Sequence, residues 1–248
     1  LIYFTMLKDE TKSVDDFHTD KLYADKIDNI GDFVFDHRVA TVFADMQKRS
    51  TPGYETLTQL TGIIVGEHLC EGDKCYDLGC ALGNTIGSIL MSIEDRDVSI
   101  VGIDSSKAML VKARENVIDS RVKFKHGDIR SVNLEECDVV ILNFALQYVP
   151  ISDRDKALNR IHRKLRPGGI LILSENVQID KDFELLHDAF KRGNGYSDLE
   201  IEQSKLALSN VEYPECLVTH LLRLQRIGFQ NVKPWFQCMN WVSMLATA

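Results

Sequence analysis

No apolar run in this chain approaches the roughly 20 residues needed to cross a bilayer. The longest, such as Val139-Val140-Ile141-Leu142 and Ile170-Leu171-Ile172-Leu173, have the length of buried strands. No membrane partner is expected. The opening Leu1-Ile2-Tyr3-Phe4-Thr5-Met6-Leu7 is apolar but lacks a basic leader and a small-residue cleavage site, so a secretory signal is unsupported and a cytoplasmic protein is expected. The six cysteines (Cys70, Cys75, Cys80, Cys137, Cys216 and Cys238) form no C-x-x-C pair and have no accompanying histidine ladder. No metal site is expected, and the thiols read as reduced and mostly buried. Positive charge is also in short supply. With 29 Lys and Arg against 37 Asp and Glu, the net charge of −8 works against extended binding to a nucleic-acid backbone, which needs clustered cations. A small-molecule substrate is favoured, and the basic pair Lys191-Arg192 reads as a solvated helix end.

A chain of 248 residues, 44% apolar and 27% charged, can bury one substantial core. The expected organisation is a partly flexible extension over residues 1–30 and a single domain over 31–248. Its cap helices lie at about 36–68 and a helical insertion at about 180–227. From Lys74 onward, short β-branched runs alternate with amphipathic segments, the pattern of strands joined by crossover helices. Strands are expected at residues 74–79, 98–104, 122–126, 138–143 and 169–174, and helices at 83–93, 107–117 and 153–165. Ser152-Asp153 suits a helix N-cap, and Arg166-Pro167-Gly168-Gly169 suits a stop, so the next strand should begin at Gly169. Residues 180–192, 197–210 and 215–227 read as inserted helices, with Gly228 as a C-cap. Residues 231–236 and 239–246 read as an antiparallel pair at the sheet edge. The class is α/β, with a doubly wound, seven-stranded, mostly parallel sheet.

In open parallel sheets, ligands sit beyond the carboxyl ends of the strands. Asp77-Leu78-Gly79-Cys80-Ala81-Leu82-Gly83 lies there, between an apolar strand and a helix, and its glycines let the backbone approach a ligand closely. Three acidic or amide residues follow at later strand ends. Asp104 can accept hydrogen bonds from ribose hydroxyls, Asp128 can receive an adenine amino group, and Asn143 faces the same crevice. Each alone serves equally well as a helix cap or loop hydrogen-bonder, but successive placement at one sheet end points to a nucleoside-bearing cofactor.

From Lys74 onward these features resemble class I S-adenosylmethionine-dependent methyltransferases, with their Rossmann-like fold. The cofactor loop, Asp77-x-Gly79-x-x-x-Gly83, is looser than that family's ideal. A narrower resemblance rests on Gly31-Asp32-Phe33-Val34-Phe35-Asp36, Arg49-Ser50-Thr51-Pro52-Gly53-Tyr54, Leu142-Asn143-Phe144-Ala145-Leu146-Gln147, Phe190-Lys191-Arg192-Gly193-Asn194-Gly195-Tyr196-Ser197 and Trp235-Phe236-Gln237-Cys238. These segments are similar to those of carboxy-S-adenosylmethionine synthases. The resemblance implies S-adenosylmethionine as cofactor and prephenate as carboxyl donor. It implies cofactor contacts at Tyr54, Gly79, Cys80, Ala81, Asp104, Ser105, Asp128, Ile129 and Asn143, and a homodimer. It also places an arginine of the partner subunit against the added carboxylate. Lys205 stands at that position here, beside Tyr196 as the second candidate for the reacting end, and Asn176 stands where the family has lysine. An ammonium is a mobile point charge and does not reproduce a guanidinium's two-bond fork. Four readings share the fold: carboxyl transfer, methylation of a small metabolite near Tyr54, Tyr148, His187 or Tyr196, use of another sulfonium carbon, and a non-catalytic cofactor-binding module. His187 reads as a polar residue on an amphipathic helix, and Trp235 and Trp241 as packing residues.

Overall fold

The computed structural model describes residues 19–248, so the expected extension is seen from residue 19 and its earlier part lies outside the described residues. That visible portion is tied down: the Ile27 N–H donates to Gln203 Oε1 at 2.7 Å, and Gln203 Nε2 donates to the carbonyls of Tyr23 and Asp25.

Five parallel strands, β1 (Lys74–Leu78), β2 (Ser99–Asp104), β3 (Val122–His126), β4 (Cys137–Asn143) and β5 (Leu165–Asn176), are joined by β7 (Trp241–Thr247) and β6 (Gln230–Cys238). The order across the sheet is β3-β2-β1-β4-β5-β7-β6, with β7 antiparallel to both neighbours. The expected sheet and closing antiparallel pair are both present. Strand order reverses between β1 and β4, which opens the crevice where ligands bind in such sheets.

Side-chain alternation along the strands builds two cores. Tyr76, Leu78, Val140, Leu142, Leu171 and Leu173 fall on one face with Leu158 and Ile161 of α5 (Ile151–His162) and Leu224 of α8 (Leu217–Ile227). Cys75, Val139, Ile141, Ile170 and Ile172 fall on the other, with Ile86, Ile89 and Ile93 of α3 (Asn84–Ile93) and Val65 of α2 (Tyr54–His68). Helix α2 lies along α3 at a spacing that only glycine permits, since a Cβ on Gly62 would stand 2.6 Å from the Ser88 carbonyl. Preceding it, α1 (His37–Ser50) is N-capped by Asp36, and α4 (Lys107–Asn116) follows β2 with Ser106 as its cap.

Three local expectations are corrected. Helix α5 begins at Ile151, with Pro150 as N-cap in place of Ser152 or Asp153. The ring fixes Pro150 at φ −50°, its carbonyl accepts from the Asp153 N–H at 2.9 Å, and Asp153 lies in the first turn, where a carboxylate favours the helix dipole. The Pro-Gly-Gly segment does not precede β5 but lies within it: Leu165 pairs with Cys137, and the register resumes at Ile170 opposite Val139. Gly168 at φ +82° accommodates that irregularity. Of the three helices read as an insertion, α6 (Lys181–Gly193) and α7 (Asp198–Leu208) stand over the strand ends, whereas α8 carries an apolar stripe onto the sheet and ends at Gly228 as expected.

The fully buried Arg154 fastens the segment before α8. Its guanidinium donates to Glu215 at 2.6 Å and to the carbonyls of Tyr213 and Val149 at 2.6 and 2.9 Å. Glu212, just upstream, is thereby held at the sheet's carboxyl end.

Candidate active site

The turn after β1 is shaped for close approach. Gly79 and Gly83 have φ of +83° and +82°, and a Cβ on Gly79 would meet the Ala145 Cβ at 2.4 Å. The N–H groups of Gly79 and Cys80 donate to the Ile103 carbonyl, which clamps the loop to β2. Ala81, at φ +43°, donates its N–H to Asp104 Oδ2 at 2.9 Å, while Ser106 donates to Oδ1 at 2.7 Å. Each carboxylate oxygen of Asp104 retains acceptor capacity, so the residue both braces the loop and can receive two hydroxyls. Burial raises its pKa, against these hydrogen bonds. Helix α3 starts here with no side-chain cap, leaving its first N–H groups at the crevice.

Above this loop lies a cavity of ≈ 740 Å³, within the range of small-molecule sites. Tyr54, Gly79, Cys80, Ala81, Asp104, Ser105, Ile129 and Asn143 all line it, as do Tyr196 and Lys205. Asp128 is placed differently. Strand β3 ends two residues earlier, at His126, and the Asp128 carboxylate accepts from Arg130 Nε and Nη2 at 3.0 and 2.6 Å. That guanidinium holds its pKa below the usual range, and Ile129 faces the cavity in its stead. Asn143 is fixed from both sides, donating to Thr85 Oγ1 at 3.2 Å and accepting from Ser174 Oγ at 2.6 Å. Tyr54 accepts from Asn84 Nδ2 at 3.2 Å, and its ring lies 6.4 Å from that of Phe144, a non-glycine residue held at φ +57°.

Beneath the loop is a group with no separate role in the motif. Asp77 is 1% exposed, and among the described residues neither of its carboxylate oxygens has a hydrogen-bond partner. Burial, reinforced by the Asp104 charge, pushes its pKa up to about 7. Its place in the motif was visible; its isolation depends on the packing of α2 and α3, which no local pattern encodes.

The opposite wall comes from α6, α7 and the end of β5. Tyr196 donates its hydroxyl to Asp20 at 2.6 Å, with the Arg49 guanidinium 4.0 Å above its ring. Burial raises its pKa and Asp20 adds to the effect, so the phenol is committed as a donor. Lys205, half exposed, pairs with Asp188 at 2.6 Å. His187 is neutral: burial depresses its pKa to about 4, and its Nε2–H donates to the Ser50 carbonyl at 2.8 Å. Trp241 stands against that ring, 4.6 Å between centroids, in the packing role expected of it. Gln147 and Asn176 each donate an amide to Glu212 Oε1 at 2.8 Å, and burial raises the Glu212 pKa. Lys191, expected as part of a solvated helix end, is instead 8% exposed and lines the cavity; its neighbour Arg192 does face solvent and pairs with Asp198. Asn176 was marked only as a departure from the resembled family, and Gln147, Glu212 and Lys191 were not expected as site residues because they come from separate segments with no shared motif.

The cavity therefore has an acidic end at Asp77 and Asp104 and an end carrying lysines at Lys191 and Lys205. With His187 neutral and engaged, and Tyr54, Tyr148 and Tyr196 raised by burial, the wall supplies positioning and charge and no free strong base.

Residues 76–169 match the methyltransferase domain family. The chain is 43% identical over 236 residues to the carboxy-S-adenosyl-L-methionine synthase of Shewanella oneidensis, covering 92% of this chain and 97% of that one. It is 44% identical over 239 residues to the enzyme of the same name from a Geobacter species, covering 92% and 98%. Human N-acetylserotonin methyltransferase in complex with S-adenosylmethionine shares the fold, with a TM-score of 0.58 at 17% identity over 85% of this chain and 55% of that one.

Proposed function

Because the chain belongs to the carboxy-S-adenosyl-L-methionine synthase family of S-adenosylmethionine-dependent transferases, we propose that it moves a carboxyl group from prephenate onto the cofactor's methyl carbon. The carrying observation is the two-ended cavity, in which the cofactor loop and a lysine-bearing wall share one space. Asp104 receives the ribose hydroxyls through its free lone pairs. Gly79, Cys80 and Ala81 admit the backbone-close part of the ligand, while Tyr54, Ser105, Ile129 and Asn143 complete its walls. S-adenosylmethionine fits this donor set, since the crowding at Gly79 leaves the turn fixed and the cavity above it open. Asp128 contributes through the loop that presents Ile129, its own carboxylate being held by Arg130.

In the reaction the ring carbon–carboxyl bond of prephenate breaks as its ring hydroxyl leaves as hydroxide, which takes up a methyl proton to form water; phenylpyruvate is released, and the methyl carbon forms a carbon–carbon bond to the carboxyl carbon, giving a carboxymethyl sulfonium. Lys205, which the resemblance assigns to the partner subunit's site but which lines the cavity of its own chain, supplies positive charge for the new carboxylate, and Tyr196 is a positioning residue that joins α7 to Asp20 and Arg49. A homodimer is supported by Phe183, Leu185 and Leu186 on α6 and Leu206 on α7, apolar side chains left exposed. A cytoplasmic location is supported by the free state of all six cysteines. One observation favours methylation of a small acceptor as the second reading: the ion pair with Asp188 compensates the Lys205 charge.

The test is incubation of the pure protein with S-adenosylmethionine, with and without prephenate, and identification of products by mass. A carboxymethyl sulfonium that requires prephenate is expected. S-adenosylhomocysteine formed only with an added acceptor would favour the second reading, and methylthioadenosine would mark use of another sulfonium carbon.

A further inference from the structure

We propose that Lys191 is the anion-binding residue for the carboxyl donor, holding the donor carboxylate that is not transferred. This rests on the prephenate reading above and adds the group that would recognise that class of substrate, a dicarboxylate.

Three observations converge on it. Lys191 is 8% exposed, yet its side chain lines the cavity. An ammonium withdrawn from water to that degree demands a counter-charge. Among the described residues it has no hydrogen bond or ion pair, whereas Lys205 is paired with Asp188. The remaining nearby carboxylate, Glu212, is engaged by Gln147 and Asn176 through Oε1, and its burial favours the neutral form. Burial lowers the Lys191 pKa against the nearby charges of Asp188 and Glu212. With Asp188 bonded to Lys205, Lys191 is the lysine of this wall without a bonded partner of its own among the described residues, so an incoming carboxylate would restore its charge. The site is also built: Asn176 is braced by Asn240 at 2.5 Å, and Arg154 anchors the segment that carries Glu212, so the wall facing the ammonium is fixed before a ligand arrives.

A dicarboxylate donor must keep one carboxylate anchored while the other departs. Placing that anchor at Lys191 leaves Lys205, on the neighbouring helix, to meet the carboxylate as it reaches the sulfonium. The transferred and retained groups then have separate cations.

The experiment compares wild type with Lys191→Met, measuring KM and kcat for prephenate by product mass and affinity for S-adenosylhomocysteine by calorimetry. The expected result is a KM raised at least about tenfold, equivalent to about 1.4 kcal/mol, with S-adenosylhomocysteine affinity within about twofold of wild type. An unchanged KM, or a parallel loss of S-adenosylhomocysteine affinity, overturns the assignment. A second measurement uses the unaltered enzyme: reductive methylation mapped by peptide mass should show Lys191 protected by prephenate and not by S-adenosylhomocysteine alone. Equal labelling with and without prephenate overturns it as well. The two proposals fail separately. If wild type makes no carboxymethyl sulfonium, the prephenate reading falls; if it does and Lys191→Met has a normal KM, only the role of Lys191 falls.

Discussion

Replacing Asp77 with asparagine isolates the cost of burying a charge beneath the cofactor loop. The carboxyl is 1% exposed, without a hydrogen-bond partner among the described residues, and its pKa moves from 3.8 to about 7. At 1.36 kcal/mol per pKa unit, the shift corresponds to an upper bound of about 4 kcal/mol. The sign follows from linkage. Below about pH 4 the group is protonated in folded and unfolded chains alike, and nothing is lost. Between about pH 4 and 7 the unfolded chain releases the proton while the folded one keeps it, so stability falls as pH rises, and the loss is complete above about pH 7. Asp77→Asn removes this dependence. In urea unfolding without cofactor, the variant should match wild type near pH 3–4 and exceed it by on the order of 2–4 kcal/mol at pH 8. The cofactor's sulfonium and ammonium charges favour the ionised carboxylate, so binding expels a proton. Wild-type affinity should therefore rise with pH and level off above about pH 7, whereas the variant should bind more weakly at pH 8 with a flat profile. A stability difference that ignores pH, or a variant less stable than wild type at pH 8, would refute the reasoning.

Gly79→Ala, which puts a methyl 2.4 Å from Ala145 at a φ of +83°, should lower S-adenosylhomocysteine affinity at least about tenfold by calorimetry, with a strain of about 1–3 kcal/mol seen as a lower Tm. Arg154→Met leaves Glu215 with Arg223 but removes the donors to Tyr213 and Val149; the urea midpoint should fall by the equivalent of about 3 kcal/mol while S-adenosylhomocysteine affinity changes little. Lys205→Arg should bind the carboxymethyl sulfonium at least as tightly as wild type, and Lys205→Ala should bind it more weakly, both measured by competition with S-adenosylhomocysteine.

The parallel sheet was legible because its strands are short, β-branched and punctuated by glycine, and the strand-end wall of the cavity was legible because its residues follow successive strands in sequence. Asp104 and Asn143 lie at the last positions of β2 and β4, as their spacing implied. Asp128 did not behave alike: β3 ends at His126 as expected, and Asp128, two residues beyond it, is bound by Arg130, a local pairing that period-2 patterning does not weigh. Helix starts failed where proline was involved: Pro150 caps α5 by its fixed φ and free carbonyl, without the side-chain oxygen that marks an ordinary cap. The donor side was hidden for a different reason. Lys191 and Arg192 are adjacent and look equivalent, yet their directions on α6 send one to the cavity and the other to solvent, and only the packing of that helix over the strand ends decides which.

The central claim is that carbon is added to the cofactor's methyl group. Its most direct test supplies S-adenosylmethionine with a fully deuterated methyl group together with prephenate, and reads the product by mass. The expected product is a carboxymethyl sulfonium that retains two of the three deuterons and forms only when prephenate is present. Intact transfer of all three deuterons to an acceptor, or release of methylthioadenosine, would contradict it.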